Sequence, residues 1–107
     1  MRVISLNLNG IRSAATKGLF PWIAKQGADI ICLQELKAQA VDLTSDMQSP
    51  PGYYSAFHHA DKKGYSGVGL YTRIPPNKLV TGLGIAAIDA EGRYLRADFD
   101  RFSVISL

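Results

Sequence analysis

The sequence predicts an α/β fold, and two features of the residue order carry that prediction. Residues 3–34 read as strand, helix, strand, the order that produces a parallel strand pair joined by a crossover helix. Near the other end, residues 94–99 alternate apolar and polar side chains, Asp100-Arg101 makes a tight turn, and residues 102–107 return as the partner of an antiparallel hairpin.

Each element has a local cause. Residues 3–8 are rich in β-formers, with Ile4, Leu6 and Leu8 on one face and Val3, Ser5 and Asn7 on the other, and Asn9-Gly10 ends the run. A helix is predicted over residues 17–26, where Leu19, Phe20, Ile23 and Ala24 form an apolar stripe. Pro21 falls in its first turn, where a missing N–H costs little, and Gly27 stops it. Residues 29–34 are almost wholly apolar, as expected of a strand covered on both faces. Residues 37–49 are polar, with a short helix predicted around 41–47, and Pro50-Pro51-Gly52 forms a turn. Residues 53–58 and 68–72 read as strands separated by the polar loop 61–66. Pro75-Pro76 is a further break, and 79–81 a short strand. There is no repeat or low-complexity tract. The chain is expected to be one partial domain, residues 1–107, because it ends at Val104-Ile105-Ser106-Leu107 inside a core-like strand, whereas termini usually lie at loosely held positions.

Composition narrows the class further. A hydrophobic share of 47% with 20% charged residues places the chain among globular rather than disordered sequences. The net charge of +3 is compatible with a polyanionic partner without singling one out. Cys32 is the only cysteine, so no intrachain disulfide and no cysteine-based zinc cluster can form, and its apolar neighbours make it a small buried hydrophobe suited to a reducing compartment. No apolar run reaches membrane-spanning length, and the N-terminus turns polar too early for a secretory core, so no membrane contact and a cytoplasmic location are expected.

Several familiar patterns fail on inspection. Gly64-Tyr65-Ser66-Gly67-Val68 has valine where a nucleophile elbow needs glycine. Gly82-Leu83-Gly84-Ile85-Ala86-Ala87 spells a dinucleotide fingerprint but is expected to lead into a turn and a strand, not into a phosphate-binding helix. His58 and His59 are adjacent on a strand and point to opposite faces, which argues against a shared metal ion. Two groups carry more. Asn7 and Glu35 end strands that should be parallel, so with Asn9 they meet at one sheet edge. There an oxygen donor held at the rim suits Mg²⁺, although polar strand ends are also ordinary. Lys62-Lys63-Gly64-Tyr65-Ser66-Gly67 combines two cations, a flexible backbone and a ring. That mixture suits phosphate contact as well as it suits a solvated loop.

Residues 4–12 (Ile-Ser-Leu-Asn-Leu-Asn-Gly-Ile-Arg), 29–37 (Asp-Ile-Ile-Cys-Leu-Gln-Glu-Leu-Lys), 63–69 (Lys-Gly-Tyr-Ser-Gly-Val-Gly) and Glu91-Gly92-Arg93 resemble, in order and spacing, successive blocks of the exonuclease III and apurinic/apyrimidinic (AP) endonuclease family. The first two blocks are shared with the wider endonuclease/exonuclease/phosphatase superfamily, whereas the Gly-Tyr-Ser-Gly-Val loop points to the DNA-repair branch. The resemblance implies the N-terminal half of a four-layer α/β/β/α sandwich of the DNase I type, a mixed sheet flanked by helices. It implies a phosphodiesterase that uses Mg²⁺, with Mn²⁺ as a substitute, on double-stranded DNA with abasic sites or 3′ ends, and a monomeric full-length enzyme.

By position, the resemblance implies catalytic and metal-site roles for Glu35 and Asn7. It implies DNA contacts from Arg12, Lys17, Lys63, Gly64 and Tyr65, with Asn9 and Lys37 supporting the site. Leu6 stands where the family usually has tryptophan and Leu36 where threonine is common, both expected to be packing changes. The family's later blocks, a tyrosine, an Asp-x-Asn pair and an Asp-His pair, find no match within residues 1–107, so this chain alone is expected to be inactive. Half a sandwich is also expected to leave one sheet face uncovered, involving some of Ile4, Leu6, Leu70, Leu95 and Phe99.

Overall fold

The computed structural model describes residues 1–107. Seven strands form two sheets. Strands β1 (Val3–Asn7), β2 (Ile30–Gln34), β3 (Tyr54–His58) and β4 (Val68–Thr72) make the first, in the order β1-β2-β4-β3. Strands β5 (Lys78–Thr81), β6 (Leu95–Asp98) and β7 (Ser103–Ser106) make the second, in that order. The expected parallel pair is present: β1 runs beside β2 with Asn7 opposite Gln34, while every other pairing is antiparallel.

The near-continuous apolar character of β2 has a direct cause, because both its faces are covered. Ile31 and Leu33 join the helix-side core with Ile11, Leu19, Ile23 and Tyr71. Ile30 and Cys32 face the other way and pack with Val68, Leu70, Leu95 and Ala97 between the two sheets. The chain therefore builds three layers, helices, first sheet and second sheet. The tie between sheets includes the Ser106 hydroxyl donating to the Leu33 carbonyl at 3.1 Å.

Three local expectations are corrected. The helix expected over 17–26 is α2 (Leu19–Gln26), but it starts two residues later and a further, unexpected helix, α1 (Ile11–Thr16), precedes it; Gly18 at φ 95° takes the chain out of helical geometry between them. The stop at Gly27 is as expected, in the left-handed region at φ 60°. The short helix expected around 41–47 is split into a 3-10 turn at Ala40–Asp42 and a helix α3 at Ser45–Gln48. Each has its own cap: Asp42 Oδ2 accepts from the Gln39 N–H at 2.8 Å, and the Thr44 side chain accepts from the Met47 N–H, leaving Leu43 extended between them. The turn expected after Gly84 is a four-residue helix, α4 (Ala86–Asp89). Its carboxylate, Asp89, accepts from the N–H groups of Leu83 and Gly84 at 2.8 and 3.0 Å, so the glycine loop is filled by an anion of its own.

The uncovered surface also differs from expectation. Leu70 and Leu95 are buried and Ile4, Leu6 and Phe99 half-buried, because the second sheet already folds over the first within this chain. What stays open lies at the margins, Val3 at 50% exposure and Ile105 at 46%, beside the unpaired edges of β1 and β7. Free strand edges with exposed apolar residues invite pairing with another chain. Sedimentation of the purified chain is therefore expected to show self-association, weakened by Ile105→Lys. A monomer at every concentration tested would contradict this. No helix is long and apolar enough to cross a membrane.

Candidate metal and phosphate site

The parallel register brings the carboxyl ends of β1 and β2 to one edge, and the chain beyond them is pinned on both sides. On one side the N–H groups of Leu8, Gly10 and Ile11 donate to the carbonyls of Gln34, Glu35 and Leu36 at 2.9, 2.8 and 2.9 Å. On the other, the N–H groups of Leu36 and Lys37 donate to Gly67 and Ser66 at 3.1 and 2.8 Å, and the Leu36 side chain is fully buried. Glu35 and Lys37 thus project from a segment held between two neighbours. The only non-glycine residues of positive φ are Asn9, Glu35, Lys37 and Ser66, at 47°, 52°, 50° and 43°, and all four belong to this rim. Such conformations cost about 1–2 kcal/mol each and persist where surrounding bonds over-determine them.

The side chains close a ring. Asn7 Nδ2 donates to Glu35 Oε2. Asn7 Oδ1 accepts from the Asn9 N–H at 3.0 Å. Lys37 Nζ donates to Asn9 Oδ1 at 2.6 Å and lies 3.5 Å from Glu35 Oε1. The hydrogen bond from Asn7 holds the Glu35 carboxyl below the usual carboxylate range. Desolvation opposes that shift, while Lys37 and, more weakly, Arg93 at longer range add to it. A lowered folded pKa means that these contacts contribute fully above the ordinary carboxylate range and are lost as pH falls through the lowered value. Asn7→Ala is therefore expected to raise the Glu35 pKa toward its ordinary range in a carboxyl-¹³C NMR titration. An unchanged titration would show that Asn7 does not hold the carboxylate.

Of the other residues singled out in the sequence, Lys17 is exposed and lines an open cavity of about 430 Å³ with Asn7, Asn9, Ser13 and Trp22. Arg12 donates to the Lys37 carbonyl at 2.9 Å. Lys63 and Gly64 are exposed on the loop between β3 and β4. Tyr65, on the same loop, donates to Glu91 Oε1 at 2.8 Å and accepts from Arg93 Nη2 at 3.2 Å. The two histidines are drawn apart, His58 Nδ1 to the Tyr94 carbonyl and His59 Nδ1 to the Ala38 carbonyl, each at 2.8 Å.

Sequence reasoning gave Glu91 and Arg93 no individual role. The available signal was Gly92 between them, at φ 62°, where a Cβ would lie 2.5 Å from the His58 carbonyl oxygen. Only glycine lets that turn press against the end of β3. Leu6 and Leu36 are half-buried and buried respectively, as expected of packing positions.

The pattern of the Endonuclease/Exonuclease/phosphatase family matches residues 4–107, nearly the whole chain. The chain belongs to that family. Among curated members of the endonuclease/exonuclease/phosphatase family, it is 38% identical over 106 residues to a DNA-(apurinic or apyrimidinic site) endonuclease of Dictyostelium discoideum, covering 99% of this chain and 29% of that protein. It is 37% identical over 108 residues to an exodeoxyribonuclease of Bacillus subtilis, covering 100% of this chain and 42% of that one. Among solved structures, an AP endonuclease from Archaeoglobus fulgidus superposes with a TM-score of 0.80 at 29% identity, over 95% of this chain and 38% of its own. A 3′-5′ exonuclease from Neisseria meningitidis superposes at 0.81 and 24% identity, over 98% of this chain and 40% of its own, and shares the fold. The chain thus spans well under half the length of these relatives.

Proposed function

We propose that this chain supplies the metal-binding rim and part of the DNA-binding surface of a DNA-repair phosphodiesterase. In the complete protein that enzyme cleaves the backbone 5′ to abasic sites and trims 3′ ends. The observation that carries the proposal is the ring of Asn7, Glu35, Lys37 and Asn9 at the shared carboxyl edge of β1 and β2. Its relatives named AP endonuclease and exodeoxyribonuclease support the choice of DNA as substrate.

The donor set fits a hard divalent cation with few protein ligands, as Mg²⁺ usually has, and Mn²⁺ suits the same oxygens. Glu35 is the residue that would hold it. The Asn7 oxygen is turned to the Asn9 N–H while its nitrogen bonds the carboxylate, so in this arrangement Asn7 orients Glu35 and does not compete for the ion. When bound, such a cation stabilises negative charge that develops on a phosphate oxygen.

The chain's own residues do the rest of what this region contributes. Glu35 is held ionised by its partners, Asn7 keeps it in one rotamer, and the Lys37 ammonium balances its charge. Arg12, Lys17, Lys63 and Tyr65, with the Gly64 backbone, supply contacts for the DNA backbone. Proton transfer needs a positioned base, which this rim does not provide: Glu35 is committed as a ligand, and both histidines are engaged elsewhere. For residues 1–107 acting alone, that observation favours a binding module without hydrolysis. The test joins the chain to the C-terminal remainder of a relative and measures incision of a duplex holding one abasic site, with Mg²⁺ and with chelator. Mg²⁺-dependent incision at the abasic position supports the proposal, and equal cutting of undamaged duplex would contradict the assigned substrate.

A further inference from the structure

Tyr65 is 38% exposed, yet its ring is fixed by a closed set of contacts. Its hydroxyl donates to Glu91 Oε1 at 2.8 Å and accepts from Arg93 Nη2 at 3.2 Å, and the same Arg93 nitrogen donates to Glu91 Oε1 at 3.1 Å. The Lys62 ammonium and the Arg93 guanidinium each lie 5.6 Å from the ring centroid, within the range of cation–π attraction. The backbone beneath is equally constrained. The Asp61 N–H donates to the Ala90 carbonyl at 2.8 Å, His58 bonds the Tyr94 carbonyl, and Gly92 sits against residues 58–60 with no room for a side chain. The loop carrying Tyr65 and the turn carrying Glu91 are therefore tied together through both side chains and backbone.

The charge of Glu91 runs against its surroundings. A carboxylate paired with Arg93 repels phosphate and neutralises part of the cation surface a polyanion would use. Its contribution must then be geometric. We propose that Glu91 is a positioning residue: its Oε1 atom fixes the Tyr65 ring and the Arg93 guanidinium as a preformed contact for a nucleic-acid backbone on the same rim as Glu35. This rests on the DNA-binding reading above. Preorganisation of a ring and a long cation reduces the conformational entropy lost when the ligand binds.

Simple electrostatics and positioning predict opposite outcomes, which makes the idea testable on the chain as it stands. Binding of a fluorescein-labelled abasic duplex is followed by anisotropy for the parent chain, Glu91→Gln, Glu91→Ala, Tyr65→Phe and the Tyr65→Phe/Glu91→Ala double variant. In parallel, tyrosine ring order is followed by NMR on DNA-free protein with ¹³C-labelled tyrosine.

Positioning predicts that Glu91→Ala, although it removes a negative charge, weakens binding roughly tenfold, the usual scale for losing a charge-assisted hydrogen bond. Glu91→Gln keeps an acceptor and should stay within about twofold of the parent. The double variant should lose less than the sum of the two single losses, because both changes break the Tyr65–Glu91 contact while only Glu91→Ala also frees Arg93. In the NMR experiment only the Tyr65 ring should gain mobility in Glu91→Ala.

Unchanged or tighter binding by Glu91→Ala, equal loss in the Gln and Ala variants, additive losses in the double variant, or an undisturbed Tyr65 ring each overturn the proposal. If the Tyr65 ring is ordered in the parent chain but no variant binds duplex, the DNA-binding reading has failed and takes the proposal with it. The ring measurement separates that outcome from failure of the Glu91 contact.

Discussion

Glu35→Ala is expected to lower Mg²⁺-dependent incision of an abasic duplex by at least about a thousandfold, measured in the chain joined to a relative's C-terminal remainder. The magnitude follows from removing the carboxylate that would hold the cation, since metal stabilisation of phosphoryl charge is worth several kcal/mol of barrier. The fold should survive, because Glu35 is partly exposed and its loss leaves no buried charge unpaired. Lys37 and Asn7 would each lose one partner at the solvent edge, where such pairs contribute little to stability. Circular dichroism should therefore be unchanged while the rate falls. Asn7→Ala should reduce the rate less, because it releases the carboxylate without deleting it. Near-parental incision by Glu35→Ala would remove the metal assignment.

The second large effect concerns salt. Residues 1–107 are expected to bind DNA through Arg12, Lys17, Lys62 and Lys63, with Tyr65 adding a ring contact, and to hydrolyse none of it. With about four phosphate contacts, the slope of log affinity against log salt should lie near about −3 to −4, so binding should fall roughly a hundredfold between about 50 and 200 mM salt. Lys17→Ala should reduce that slope by about one, because this exposed cation stands beside the cavity that also includes Asn7 and Asn9. A salt-independent affinity would mean that the basic residues are not the contact surface. Nicking of abasic duplex by the isolated chain, lost on Glu35→Ala, would contradict the assignment of proton transfer to residues outside 1–107.

Much of the fold was legible because its signals are periodic or positional. The alternation in β1, the double-sided apolar run of β2 and the turn at Asp100-Arg101 each report burial directly, and the parallel pair follows from strand–helix–strand order. The convergence of Asn7 and Glu35 follows from the same logic, since parallel strands share their carboxyl edge.

What escaped the sequence depends on contacts that no period records. The break at Gly18 is one residue's backbone geometry, and the split of the 41–47 helix results from two separate caps, at Asp42 and Thr44. The position of the second sheet over Leu70 is a tertiary fact, and counting Leu70 and Leu95 among the candidates for an uncovered face missed it. The partnership of Tyr65 with Glu91 and Arg93 spans residues 26 and 28 apart, joined by a turn that only Gly92 permits. Spacing in the chain does not announce such a contact.

Paramagnetic relaxation by Mn²⁺ tests Glu35 as the oxygen donor for a divalent cation without any requirement for catalysis. In ¹⁵N-labelled residues 1–107, titrated with substoichiometric Mn²⁺, line broadening should centre on the Asn7 side-chain amide and the backbone N–H groups of Glu35, Leu36 and Lys37. It should reach Asn9 and disappear in Glu35→Ala. Broadening centred elsewhere, or unchanged in Glu35→Ala, would contradict the assignment of this rim as the metal site.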